Sequence, residues 1–223
     1  MGIRGVVAVV FLGFVPAALV LLYIEWSIRQ GLFALDFHNS SWPAGRAVLH
    51  GNFDYNVLFA RADPFIYPPL TAVLLAPLAA LPVGVADGLY TAGSILAVML
   101  AMRAFNVRDW RCYGAAFLWP PVLGAIEAGN LSLPLVGGIG LIWALRARIV
   151  PLGLAVAVLV SAKLVLAPLV LWLVLTRRFR AAIWSAFFFV TLNVLAWIAI
   201  GAGSFRAYLR LLQEHTHQQE DKK

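Results

Sequence analysis

Residues Leu152–Leu175 read LGLAVAVLVSAKLVLAPLVLWLVL, an apolar run that holds one charged residue, Lys163, and one proline, Pro168. A bilayer-spanning helix needs about 20 apolar residues, so this run is long enough to cross a membrane. Proline has no N–H to donate to the carbonyl four residues before it, which here belongs to Leu164. The pattern therefore predicts a membrane helix that breaks near its only charge.

The rest of the chain also has the composition of a membrane protein. Of its 223 residues, 62% are hydrophobic and only 12% are charged, and the mean hydropathy is +0.88. A soluble domain carries roughly a quarter charged residues, so a water-soluble globular protein is excluded. We predict an all-α, polytopic membrane helix bundle in the cell membrane, with a membrane domain over residues 1–203 and a polar tail over 204–223.

The net charge of +7 comes mainly from arginines in short clusters between apolar runs. This arrangement is typical of the cytoplasmic ends of membrane helices and not of a nucleic-acid groove, so we expect no nucleic-acid partner. The single cysteine, Cys112, excludes an intramolecular disulfide and any multi-cysteine metal site. The histidines have no metal-ligand spacing, and the sequence holds no phosphate-binding loop or Rossmann fingerprint. We therefore predict no metal and no cofactor.

The other apolar runs differ in length. They cover 6–23, 67–82, 85–102, 112–126, 131–145 and 181–200. Several are too short to cross a bilayer as a straight helix that rises 1.5 Å per residue. Broken helices are tolerated in membranes only where the freed backbone groups face protein or a water-filled cavity. The sequence therefore predicts a cavity within the bundle.

The first loop, residues 27–67, is the longest polar stretch before the tail. Loops of this length are usually functional or disordered. Disorder fits poorly because the loop carries aromatic residues that can anchor it, namely Trp42, Phe53, Tyr55, Phe59 and Phe65. We also predict that residues 44–49 form a short helix on the membrane surface.

Arginine clusters at 103–111, 146–148 and 177–180 are predicted to lie on the cytoplasmic side, together with Arg4. The first loop is then extracytoplasmic. If every run between that loop and Arg103 crossed the membrane, however, the cluster at 103–111 would lie outside. Either 67–82 or 112–128 re-enters without crossing, or the arginines of 103–111 face outward for a reason such as binding a phosphate.

Lys163 is the clearest candidate functional residue, because an ionisable side chain within an apolar run is costly. In one interpretation it reaches the interface between two short helices or pairs with Glu127. In the other it holds the phosphate of an anionic lipid.

Asp36, early in the first loop, is either a solvated or helix-capping carboxylate or a general base that deprotonates a hydroxyl. His38, two residues later, either orients Asp36 or is merely solvated.

The prolines of Tyr67-Pro68-Pro69 fix φ at the first turn of a helix, which is a structural role. Glu127, Gly129 and Asn130 form either a helix cap and turn or a polar ligand contact.

Four segments together resemble glycosyltransferase family 87, the polyprenyl-phosphomannose-dependent mannosyltransferases with the C-type membrane glycosyltransferase fold. We call them the first-loop motif, the YPPL motif, the Gly-Asn motif and the Lys-Pro motif. They comprise, in order, Asp36-Phe37-His38 with Trp42 to Ala47, Gly51 and Tyr55; Tyr67-Pro68-Pro69-Leu70 with Pro77 and Pro82; Gly129-Asn130-Leu131-Ser132; and Lys163 with Pro168 and Arg177 to Ala181.

The resemblance implies transfer of a sugar, mannose in this family, from a polyprenyl-phosphate donor to an extracytoplasmic glycan or glycolipid. Asp36 is then the catalytic base, and Lys163 neutralises the phosphate that leaves. The full set of residues predicted to bind substrate is His38, Arg46, Tyr67, Asn130 and Lys163. Such donors need no nucleotide and no metal.

Expected partners are thus the lipid-linked donor, the acceptor and membrane lipid. Because members of the family are longer than this chain, it resembles an N-terminal portion of one: a truncated member, half of a split pair or an incomplete gene product. In the split case a second chain supplies the further helices. The alternative function is a non-catalytic membrane subunit or lipid-binding protein that keeps the architecture without the activity. A small transporter is less consistent with the sequence, which has no evident internal repeat.

The predicted topology can be tested with cysteines introduced at Asn52 and Ala147 in a Cys112→Ser background. Because the first loop is predicted outside and the 146–148 cluster inside, an impermeant thiol reagent should label Asn52→Cys but not Ala147→Cys in intact cells. Both should be labelled in permeabilised cells. The reverse pattern in intact cells would overturn the assignment.

Overall fold

The computed structural model describes residues 6–7, 9–201 and 204–210. Within these residues the chain is helical and has no strands, which confirms the predicted all-α class. The helices are α1 (Val15–Gln30), α2 (Trp42–Leu49), α3 (Tyr55–Phe59), α4 (Pro69–Ala79), α5 (Val83–Ala104), α6 (Trp110–Phe117), α7 (Pro120–Ala128), α8 (Ser132–Ala144), α9 (Ile149–Ala162), α10 (Pro168–Leu175) and α11 (Phe179–Ile200).

Three helices in the described residues are long and apolar enough to cross a membrane. They are Val10–Gln30, which is a π-helical turn continued by α1, together with α5 and α11, with mean hydropathies of 1.8, 1.6 and 2.0. Helices α7 and α8 meet at 114°, so they form either a broken span or a re-entrant segment. The chain is thus a multi-pass membrane protein, as predicted.

Much of the predicted first loop, 27–67, is helical, at 27–30, 35–49 and 55–59. Helix α1 continues through Gln30, so the first four positions of the predicted loop are helical. Gly31 ends the helix in the left-handed conformation (φ 68°), with its N–H donating to the carbonyls of Ile28 and Ser27. A helix covers the predicted 44–49 as α2, which begins at Trp42, and its place on the membrane surface stays a prediction. Arg4 and most of the predicted tail, 211–223, lie outside the described residues.

The chain divides into two compact units. Unit 1 comprises Met1–Phe37 and Asp87–Arg146. Within it α8 lies against α5 at very short range: a Cβ placed on Gly140 would be 2.5 Å from the Cα of Ala101, and one on Gly137 would be 2.6 Å from the Cβ of Ala97. Small residues at such crossings let membrane helices approach closely and gain van der Waals contact.

Unit 2 comprises His38–Ala86 and Ala147–Lys223. Its helix α9 packs along α11, and α2 packs on α4. An aromatic cluster fixes the first loop within this unit: the rings of Phe53 and Tyr55 lie 5.0 Å apart, and those of Tyr55 and Tyr208 lie 4.8 Å apart. Phe53, Tyr55 and Phe65 are buried, so three of the five predicted anchors hold the loop, while Trp42 and Phe59 are half-buried. Tyr208 belongs to 204–210, the described start of the predicted tail.

The close approach of α8 to α5 predicts that Gly140→Ala lowers the free energy of unfolding by about 1–3 kcal/mol, because the new methyl group overlaps Ala101. Unfolding in detergent micelles measures the change. Gly93→Ala on α5 is the matched control, because nothing lies within 4 Å of the position that its new methyl group would take. Equal stability of the two variants would contradict the proposed packing.

Candidate functional site

In unit 1, Asp36 follows a residue with an unusual backbone. Ala34 has φ 53°, in the left-handed region that non-glycine residues seldom adopt, and Leu35 and Asp36 resume the helical conformation. Strained residues of this kind persist only where their surroundings hold them, and they cluster at functional sites. The Ala34 N–H donates to the carbonyl of Glu127 at 2.6 Å. The backbone just before the half-buried Asp36 is therefore held in place by its contact with the end of α7.

The turn between α7 and α8 also packs against Ala34. Gly129 ends α7 with φ 63°, and a Cβ on it would lie 2.7 Å from the Cα of Ala34. Only glycine therefore fits, both for its backbone conformation and for the close approach. The Glu127 carboxylate accepts a hydrogen bond from the hydroxyl of Tyr23. The Gly-Asn motif thus contacts the chain at Ala34, two residues before the first-loop motif begins at Asp36.

Asn130 acts within this turn as a cap. Its Oδ1 accepts a hydrogen bond from the N–H of Ser132 at 2.7 Å, at the first residue of α8. Its own N–H donates to the carbonyl of Ala125 at 3.2 Å. These contacts agree with the cap interpretation of Glu127, Gly129 and Asn130, while substrate binding by the remaining Asn130 donors stays a prediction.

In unit 2, Lys163 lies where α9 ends, and the predicted break of the 152–175 run is confirmed. Lys163 is extended (φ −150°, ψ 108°), and a short 3₁₀ turn, Leu164–Leu166, leads to α10. The Nζ atom lies 5.9 Å from the centroid of the Tyr67 ring. The YPPL motif and the Lys-Pro motif therefore meet at this break.

Tyr67 is held in turn by the aromatic cluster of the first loop. The Tyr55 hydroxyl donates to the carbonyl of Tyr67 at 3.0 Å. Burial raises the pKa of the Tyr55 phenol above its ordinary value, so the hydroxyl keeps its proton and remains a donor at physiological pH. The sequence predicted only a helix start for the YPPL motif. Tyr67 has a further role, because its ring presents a π-face to the Lys163 cation.

A cleft of about 610 Å³ opens in the first loop. Its polar lining residues are His38, Asn39, Arg46, His50, Asp54 and Arg61. The Arg46 guanidinium lies 5.1 Å from the centroid of the Trp42 ring, and Arg61 donates to the carbonyl of Asn39 at 3.3 Å. Neither arginine has a carboxylate within ion-pair distance in the described part of the chain. Two predicted residues, His38 and Arg46, are therefore brought together here.

The predicted site residues divide between the two units. Asp36 and Asn130 belong to unit 1, whereas His38, Arg46, Tyr67 and Lys163 belong to unit 2. Sequence reasoning missed Tyr23, Thr71 and Asn193, whose polar groups contact these segments. The signal that could have identified these three residues is a hydroxyl or amide side chain within an apolar run. Over the described residues, no group of His, Cys, Asp and Glu side chains is placed to hold a metal ion.

The model of glycosyltransferase family 87 matches residues 65–222, which is most of the chain. The chain belongs to this family. It is also 30% identical, over 213 residues, to the polyprenol-phosphate-mannose-dependent alpha-(1-2)-phosphatidylinositol pentamannoside mannosyltransferase of Mycolicibacterium smegmatis. That alignment covers 86% of this chain and 50% of the relative, so the chain spans about half the relative's length.

No solved structure matches the chain, so the C-type fold stays a prediction. The matched region of the family includes the YPPL, Gly-Asn and Lys-Pro motifs. These comparisons do not support the expected second chain.

The contact between Gly129 and Ala34 predicts that Gly129→Ala destabilises unit 1 by about 1–3 kcal/mol, through a strained φ and overlap with Ala34. Gly124→Ala on the same helix is the control, because its methyl group meets nothing within 4 Å. Thermal unfolding measures the stability of both variants.

A second measurement follows the position of Asp36 itself. The rate of thiol labelling of Asp36→Cys, in a Cys112→Ser background, should change when Gly129→Ala is added and stay constant with Gly124→Ala. Identical labelling rates in both double variants would show that the turn does not position this residue.

Proposed function

We propose that the protein transfers a mannosyl group from a polyprenyl-phosphate donor to a glycan or glycolipid acceptor on the extracytoplasmic face of the cell membrane. Membership of glycosyltransferase family 87 supports sugar transfer. The relative named above uses polyprenol-phosphate-mannose, which supports the choice of donor.

The observation that carries the proposal is the environment of Lys163. Its cation lies at the break between the apolar helices α9 and α10, beside the Tyr67 ring, and no carboxylate in the described residues lies within ion-pair distance. A cation in such a place suits the phosphate of a lipid donor, whose polyprenyl tail stays in the bilayer.

The proposed reaction assigns one step to each of two groups. The acceptor hydroxyl attacks the anomeric carbon of the sugar, and the bond from that carbon to the phosphate oxygen breaks. The polyprenyl phosphate leaves with the bonding electrons, and the positive charge of Lys163 stabilises the negative charge that develops on it. Asp36 takes the proton of the acceptor hydroxyl as general base.

The cleft in the first loop is the proposed place for the polar part of a substrate. Its volume of about 610 Å³ falls within the range of small-molecule sites, roughly 300–1,000 Å³. His38 offers a ring nitrogen, and Arg46 offers guanidinium donors that no carboxylate of the described residues neutralises. These groups can hydrogen-bond sugar hydroxyls or an anionic group of the substrate.

The role of Asp36 is tested by Asp36→Asn, which keeps the shape of the side chain but cannot accept a proton. We expect mannosyl transfer from polyprenyl-phosphomannose to fall at least about a hundredfold, while the protein accumulates normally and still binds donor. Radiolabelled donor and membranes containing the protein provide the assay.

Asp109→Asn is the matched control. Asp109 caps α6 by accepting a hydrogen bond from the N–H of Arg111 at 2.9 Å, and asparagine preserves such a cap. This variant should transfer mannose at the parental rate. Parental transfer by Asp36→Asn as well would make Asp36 a structural residue. Absence of transfer by the parent itself, with donor binding retained, would favour the lipid-binding alternative.

A further inference from the structure

The break at Lys163 frees backbone carbonyls between two short apolar helices, α9 and α10. The last carbonyls of a helix have no partner within that helix, and in lipid each unsatisfied group costs several kcal/mol. One of them, that of Ala162, accepts a hydrogen bond from the hydroxyl of Thr71 at 2.9 Å. Thr71 is only 1% exposed, so water does not compete for this contact.

A second polar contact reaches the neighbouring residue from another helix. The Asn193 amide, on the membrane-spanning α11, donates to the hydroxyl of Ser161 at 2.8 Å and to the carbonyl of Phe189 at 2.8 Å. Ser161 is fully buried. Two consecutive residues before Lys163 are therefore held by side chains from α4 and α11.

We propose that Thr71 and Asn193 are positioning residues that fix the end of α9 so that the Lys163 ammonium meets the phosphate of the lipid donor. This inference rests on the proposed function. Lys163 has a flexible four-carbon stem, so the placement of its charge depends on where its backbone is held. Thr71 also lies four residues after Tyr67, so the same short segment fixes both the Lys163 backbone and the ring beside its charge.

Another hydroxyl of α11 provides a contrast. Thr191 donates to the carbonyl of Phe187 at 2.9 Å, four residues earlier on its own helix. Its removal deletes a membrane hydroxyl without touching the Lys163 segment. Thr191→Val is therefore a control for the general effect of losing a polar group from this helix.

The test measures binding of polyprenyl phosphate, without sugar, to the purified full chain. Thr71→Val and Asn193→Leu keep the side-chain shape and remove the hydrogen bond. Each should weaken binding about three- to tenfold, the effect of losing one buried hydrogen bond. Thr71→Ser, which restores the hydroxyl, and Thr191→Val should bind like the parent.

A Lys163→Met background separates positioning from general stability. If Thr71 acts through Lys163, Thr71→Val should add no further loss of binding to Lys163→Met. An equal further loss, or parental affinity of both Thr71→Val and Asn193→Leu, would overturn the inference. If Thr71→Val does not accumulate in the membrane, Asn193→Leu carries the same comparison.

The outcomes also separate this inference from the proposed function. Equal binding by the parent and Lys163→Met would remove Lys163 from the donor site, and the proposed function and this inference would fail together. Binding that depends on Lys163 but not on Thr71 or Asn193 would leave the proposed function intact and overturn only the positioning role.

Discussion

Backbone hydrogen bonding in lipid is the constraint on which both parts of the candidate site depend. A broken membrane helix exposes carbonyls that lipid cannot satisfy, so each break must lie against donors from the protein or from water. At the end of α9 one such donor is the Thr71 hydroxyl, and near the end of α7 another is the N–H of Ala34. Both donors come from segments that carry family motifs.

This constraint explains why the segments that carry the four motifs meet in pairs. The Lys-Pro motif contains one break and meets the segment of the YPPL motif, where Tyr67 supplies an aromatic ring and Thr71, directly after the motif, supplies a hydroxyl. The Gly-Asn motif lies at the other break and contacts Ala34, two residues before the first-loop motif begins at Asp36. Asp36 and Lys163, the two residues proposed to act in the reaction, therefore lie beside points where the backbone departs from regular helix. Departures of this kind hold side chains in positions that a continuous helix does not offer.

Most helices could be predicted from the sequence, because long apolar runs leave few alternatives. The exact position of the break within 152–175 was harder to predict. Pro168 indicated a freed carbonyl at Leu164, yet α9 already ends at Ala162, where Thr71 supplies a hydrogen bond across 91 positions of sequence. Similarly, Glu127 was a candidate partner for Lys163, but its carboxylate binds Tyr23. Such choices depend on tertiary contacts that local sequence does not encode.

The free energy of placing a charged lysine in an apolar segment bears on the role of the break at Lys163. A lysine near the centre of a membrane helix costs about 2.5–3.5 kcal/mol on insertion scales. A cation–π contact with Tyr67 returns about 0.5–1 kcal/mol where exposed and about 2 where desolvated. The ring therefore does not offset the whole cost, and no carboxylate in the described residues supplies the difference. What remains must come from water or from an anion at the Nζ atom, and under the proposed function the phosphate of the lipid donor is that anion.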